Sequence, residues 1–285
     1  MFDFNDYYEA YTITEALDYL AKNENTAVIA GGTDVLIKLR EGSAFVNANL
    51  VGVTRIEELK KITKEENGDI IIGAASTFSQ LEKDAVVCLH IKSLAAGAAS
   101  VGGPQVRNMG TVGGNICNGA TSADTAAVLH TLNAIVIIEN KNGSREIPVN
   151  EFYLGPGKVK LEKGDLVRAF KVKKEDYAGY KGHYIKFSQR NAMDIATLGC
   201  AVQIKEKSGI IEDLRIAFGV AGPTPIRVTT AETFAKGREI NDKNLEEIGR
   251  QCLADTKARD SWRGSKAFRE QLICTLPARA IKEAL

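Results

Sequence analysis

The spacing of apolar positions changes several times along the chain, and each change marks an element. Near the start, Thr14 reads as the cap of a helix carrying Leu17, Leu20 and Ala21 on one face. Ala27, Val28 and Ile29 then read as a short buried strand running into Gly31 and Gly32, and 34–40 as a short helix. A strand is expected over 49–53. Asn67-Gly68, ahead of Ile70, Ile71 and Ile72, and Asn142-Gly143 have the composition of hairpin turns. Between those two hairpins, short helices follow Thr77, an Ala/Gly-rich stretch begins at Leu94, and a helix resumes near Ser122 or Asp124. Residues 166–172 have a strand pattern.

From about Tyr180 the texture changes to longer alternating strands, over 184–188, 198–205 and 210–220, with Ser208-Gly209 as a turn. Helical patterns over 227–235, 243–253 and 266–284 close the chain. Strands followed by helices predict a C-terminal α+β domain with an antiparallel sheet, and its boundary falls near residue 178.

Composition narrows the function classes. The 285 residues carry 37 Lys and Arg against 36 Asp and Glu, a formal charge of +1, so no general field gathers nucleic acid or an anionic membrane. An anionic ligand must be held locally. No apolar run approaches the ~18 residues of a membrane span, and the acidic, aromatic start MFDFNDYYEAYT lacks the features of a secretory signal. A cytoplasmic protein is expected. Five widely spaced cysteines without a C-x-x-C pair argue against a disulfide framework, a clustered metal site or an iron–sulfur cluster in this chain.

Glycine is the unusual residue, and seven of its 26 copies fall within 97–119. Two stretches stand out. Ala30-Gly31-Gly32-Thr33-Asp34 follows a strand and opens a helix, where unpaired backbone N–H groups can face an anion. The same pentapeptide also suits a plain strand-to-helix turn capped by Asp34, whose carboxylate is expected to cap or orient the loop. Thr111-Val112-Gly113-Gly114-Asn115 is a second glycine pair, followed by Thr121, Ser122 and Asp124; it offers a second cradle or simply close loop packing. Neither G-x-G-x-x-G nor G-x-x-x-x-G-K-[ST] occurs, so Rossmann and P-loop accounts fail. His90, His130 and His183 are scattered and read as structural. Trp262 and the N-terminal aromatics read as partner contacts or core, and Arg259, Arg263, Lys266 and Arg269 as a solvated helix face or a docking face.

AGGTDVLIKLR and TVGGNICNGATSADTA resemble the paired FAD-binding motifs of the flavoprotein subunit in the molybdenum hydroxylase family. MFDFNDYY, GPQVRN, GPGKV, YIKFSQRNAMDIATLGCA, LRIAFGVAGPTPIR and SWRGSK extend the resemblance over nearly the whole chain, with NICNGATSADTA and GPTPIR pointing to the purine-hydroxylating branch. The resemblance implies an α+β fold in three parts. A two-part FAD-binding domain would span 1–177, its small N-terminal subdomain about 1–54 and its middle subdomain about 55–177, followed by the C-terminal domain at 178–285. FAD would lie, noncovalently, between the first two parts.

The resemblance assigns the pyrophosphate to Val28, Ile29, Ala30, Gly31, Gly32, Thr33, Asp34 and Val35 and to Thr111, Val112, Gly113, Gly114 and Asn115. Asp124 would bind on the adenosine side or through the ribityl chain; Val101, Val167 (mainly through its backbone) and Lys186 would line the FAD site, and Cys117 would lie near the isoalloxazine. Lys186 also has a physical rationale, since a cation stabilises reduced flavin and raises its potential; otherwise it is a solvated strand lysine. Arg107 is a phosphate or partner contact or a surface charge, and the loop 189–195 carries Ala192-Met193 where animal relatives are more charged. The implied activity is electron transfer from iron–sulfur clusters through FAD to NAD. The molybdopterin-binding subunit and the two-iron two-sulfur subunit would be partners, and no catalytic or metal-ligating residue is expected here. Carbon monoxide, nicotinate and aromatic thioester hydroxylases are alternatives within the family, the last expected to carry a cysteine-rich insert that this chain lacks; a flavin-free scaffold subunit and a stand-alone flavin oxidase are alternatives outside it.

Overall fold

The computed structural model describes residues 2–285; Met1, the first residue of the MFDFNDYY stretch, lies outside the described residues. Its first layer is a three-stranded parallel sheet of Asp6–Glu9, Asn49–Gly52 and Thr26–Ile29, in that spatial order, with the helix Ile13–Lys22 between the first and second strands of the chain. Parallel pairing follows from the helical crossover between the strands. The helix is capped by Thr12, whose hydroxyl accepts the Glu15 N–H at 3.1 Å, two residues ahead of the expected Thr14. Thr12 has the extended backbone a cap requires (φ −132°). Ala16 and Leu20 are the buried pair, one turn apart, and Ala21 is exposed. Thr26–Ile29 lies at the sheet edge and is only half-buried, because its outer flank borders a groove rather than core.

The middle part is a five-stranded antiparallel sheet in the order Ile62–Lys64, Ile70–Gly73, Leu166–Val172, Ile135–Asn140, Gly143–Pro148. Both hairpins turn where the Asn-Gly pairs predict. Short helices cover it, beginning with Phe78–Lys83 under a Thr77–Gln80 capping box. Among them Asp124–Thr131 is buried along its whole length.

The C-terminal part is a four-stranded antiparallel sheet of Lys181–Phe187, Leu198–Lys207, Ile210–Gly219 and Ile226–Arg227 backed by Thr229–Ala235, Asp242–Gln251 and Lys266–Ala284. The expected alternation is absent from 198–204, where every residue is buried. The reason is that both faces of this sheet are covered: Leu198, Cys200 and Val202 pack with the C-terminal helices, while Tyr184, Ala201 and Ala217 complete the core of the middle part. Two arginines tie the parts together at the C-terminal end of Asp124–Thr131. Arg227 makes a forked pair with Glu232 and donates to the His130 carbonyl; Arg215 pairs with Asp176 and donates to the Thr131 carbonyl.

The basic C-terminal run is not one solvated face. Arg269 is 2 % exposed and donates to the carbonyls of Thr197, Arg259 and Gly264 and to the Ser261 hydroxyl, pinning the 259–265 loop; its guanidinium meets carbonyls that only a long side chain can reach. Trp262 is exposed, with the Arg263 guanidinium 4.1 Å from its ring, and Phe2, Phe4, Tyr7, Tyr8 and Tyr11 are also exposed rather than core. No helix among the described residues is long and apolar enough to cross a membrane.

Candidate functional site: a groove with an unpaired amide run

A groove runs between the edge strand Thr26–Ile29 and the helices Pro104–Met109 and Val112–Cys117. It has two compartments of about 340 and 370 Å3 that share Val28, Ala30, Phe45, Thr111, Gly114 and Cys117 as a waist, each a usual size for ligand sites (~300–1,000 Å3). Phe45 is held at φ +64°, a conformation of ~1–3 kcal/mol for a non-glycine residue that a packed surrounding must enforce.

At the waist the chain leaves Thr26–Ile29, turns through Gly31-Gly32 and enters the helix Val35–Arg40. Gly32 takes φ +68°, and Gly31 lies so close to the opposite wall that a Cβ there would stand 1.7 Å from the Met109 carbonyl oxygen. The amides of Gly31, Gly32, Thr33, Asp34 and Val35 donate to no acceptor among the described residues, whereas Leu36 N–H reaches the Gly32 carbonyl at 3.0 Å. The first amides of a helix have no partners within it and can turn to a ligand. All five residues line the 370 Å3 compartment, so this run is a nest waiting for an acceptor-rich ligand. Asp34 stands at the cap position, yet its side chain is exposed and bonds no amide of the helix, contrary to the expected capping role; its αR backbone (φ −107°, ψ −41°) is not the extended form that lets a side chain fold back.

The second glycine loop is built differently from the expected second cradle. Val112 and Gly113 N–H go to the carbonyls of Ser76 and Ala74, and Gly114 N–H goes to the Thr111 hydroxyl, so these amides are already used. What the loop offers is a bare wall. A Cβ on Gly114 would meet only the Thr111 hydroxyl, at 3.1 Å, and otherwise project into the groove. Asn115 accepts from the Thr125 hydroxyl at 2.7 Å, leaving its amide nitrogen to donate.

Other expected residues are spread around this waist. Val101 lines the 370 Å3 compartment and Val167, beside a bulge in Leu166–Val172, the other. Ile29 and Val112 line neither. Cys117 lies at the waist, between the compartments, and burial pushes its thiol up to about 12, so it stays protonated. Arg107 bonds Glu82 and the Val101 carbonyl, which makes it a brace behind the groove. His130 is buried, with Nδ1 2.7 Å from the Ala126 carbonyl oxygen, and burial lowers it to about 4.

Lys38 was not singled out by its motif, yet it lines the 370 Å3 compartment, with its ammonium on the Asn118 side chain and 5.7 Å from the Phe45 ring. It is the one lysine in an otherwise apolar VLIKL turn, one helical turn after Asp34, and that spacing was the available signal. Asp124 and Lys186 do not line the groove. They meet in a buried ion pair (2.9 Å) beyond Val101, where Lys186 also donates to the Ser100 carbonyl and borders a third cavity of about 300 Å3.

A run of free amides, a cation and a bare glycine wall between two compartments define a protein that holds an extended anionic cofactor with two ends. Family comparison agrees. Residues 2–172 match the FAD binding domain in molybdopterin dehydrogenase and residues 183–284 the CO dehydrogenase flavoprotein C-terminal domain. The chain belongs to this family of FAD-binding subunits of molybdenum hydroxylases. It is 42 % identical to the xanthine dehydrogenase FAD-binding subunit of Escherichia coli O157:H7 over 100 % of this chain and 97 % of that one. The glyceraldehyde dehydrogenase medium chain of Sulfolobus acidocaldarius is 32 % identical over 97 % of each chain. Among solved structures, carbon monoxide dehydrogenase from Hydrogenophaga pseudoflava superposes with a TM-score of 0.93 at 26 % identity, covering 100 % of this chain and 98 % of that one. The groove fits the cofactor: five unpaired amides match a pyrophosphate's acceptors, and Gly114 leaves the facing wall bare.

Proposed function

We propose that this chain is the FAD-binding, electron-transferring subunit of a xanthine dehydrogenase. The unpaired amide run from Gly31 to Val35, facing the groove, is the observation that carries the reading. The 42 % identity to xanthine dehydrogenase subunits, against 27 % to a carbon monoxide dehydrogenase medium chain, favours the purine branch.

In this reading the amides of 31–35 and the Lys38 ammonium hold the pyrophosphate, and Gly114 lets it approach the backbone. The compartment bounded by Leu20, Val53 and Val167 takes the adenosine end. The compartment reaching Val101, towards Lys186, takes the isoalloxazine. When bound there, FAD would supply the two-electron redox chemistry between an iron–sulfur partner and NAD. The purine is oxidised at the molybdopterin of another partner, so this chain needs no acid, base or metal ligand of its own, and it works in the cytoplasm.

Mixing the FAD-loaded chain anaerobically with NADH tests the acceptor. Loss of the flavin absorption bands is expected; bound FAD that keeps its bands through excess NADH would remove NAD from the account.

A further inference from the structure

Lys186 is not a free cation. Its ammonium donates to Asp124 Oδ2 at 2.9 Å and to the Ser100 carbonyl at 2.9 Å, and the other Asp124 oxygen accepts the Tyr184 hydroxyl at 2.8 Å. Lys186 and Asp124 side chains are 11 % and 8 % exposed, so water screens the pair little. Asp124 also opens the helix Asp124–Thr131, whose N-terminal dipole end favours a negative charge. Tyr184 is held in turn: a Cβ on Gly199 would stand 2.6 Å from its hydroxyl oxygen, so only glycine leaves room for it. Burial and the neighbouring carboxylate raise the Tyr184 hydroxyl well above its usual range, which keeps it a donor. The remaining charges on the Lys186 cavity, Arg190 and Asp194, lie 3.6 Å apart and compensate each other.

We propose that Asp124 is a positioning residue for Lys186, cancelling its charge so that a flavin ring in the neighbouring compartment feels a matched ion pair instead of a lone cation. The inference rests on the proposed placement of the isoalloxazine at the Val101 end. A lone ammonium would favour the negative charge that gathers on a reduced flavin and raise its potential; a compensated one leaves the potential nearly where the rest of the site sets it.

The opposing models separate in a double-variant cycle on the FAD-loaded full chain, reading the oxidised-to-reduced flavin ratio against a reference dye. Asp124→Asn frees the cation and is expected to shift that ratio at least ~10-fold towards reduced flavin, ~30 mV for a two-electron couple. Lys186→Met is expected to shift it towards oxidised flavin. Asp124→Asn with Lys186→Met, which buries no charge and so keeps the fold safe, is expected to return within ~2-fold of the parent. A double variant shifted towards oxidised flavin as far as Lys186→Met alone would overturn the proposal, since a free lysine predicts that result. An unchanged ratio in Asp124→Asn would overturn it as well. Failure of the parent chain to take up FAD is a different outcome and would overturn the functional reading beneath it.

Discussion

Gly114→Val is expected to weaken FAD binding by at least ~100-fold, ~2.7 kcal/mol, while urea unfolding of the apo chain keeps its slope and nearly its midpoint. The separation of the two effects follows from where the new atoms go. A Cβ at Gly114 finds the Thr111 hydroxyl at 3.1 Å and nothing else within 4 Å, and the residue's backbone is helical without a positive φ, so the fold accommodates a branched side chain. The methyls then project into the waist, where both compartments narrow between Gly114, Val28 and Phe45. A pyrophosphate cannot pass a filled waist, and moving the valine means moving a buried helix. Equilibrium titration of flavin fluorescence checks the binding. Near-parental affinity would show that the ligand does not cross this wall.

Gly31→Ala acts on the fold and the site together. Its single methyl carbon would stand 1.7 Å from the Met109 carbonyl oxygen and 2.9 Å from the Gly110 nitrogen, both backbone atoms that cannot rotate away. The amide run must therefore part from the end of Pro104–Met109, at a cost of ~3 kcal/mol, the upper end for overpacking a close contact. The loss should appear as a lower urea midpoint at constant slope, accompanied by loss of flavin binding, because the displaced loop no longer lines the groove. A fully stable Gly31→Ala chain would contradict the close approach of the two walls.

The two variants also mark how far the sequence alone could be read. Elements whose cause is local were legible: the Asn67-Gly68 and Asn142-Gly143 hairpins depend on turn chemistry, and Leu166–Val172 has its predicted ends. The strand–Gly-Gly–helix turn was legible for the same reason. What failed depends on distant partners. The second glycine pair resembles the first, yet carbonyls at Ala74 and Ser76, nearly forty residues upstream, consume its amides. That Asp124 and Lys186, 62 residues apart and each read as lining the FAD site, bond each other is likewise visible only in the fold. Arg269 belongs to a basic run in sequence but reaches Thr197, 72 residues away, and so is buried. The continuous burial over 198–204 also has no sequence sign, since it takes a second layer to cover the other sheet face.

A cofactor pyrophosphate is expected to rest on the amides of Gly31, Gly32, Thr33, Asp34 and Val35, and amide hydrogen exchange with and without FAD reads those groups one by one. Unpaired in the apo chain, they should exchange quickly, and FAD should slow all five while leaving Val112, Gly113 and Gly114, already bonded within the chain, nearly unchanged. Bound FAD with undiminished exchange across the five amides would contradict the account.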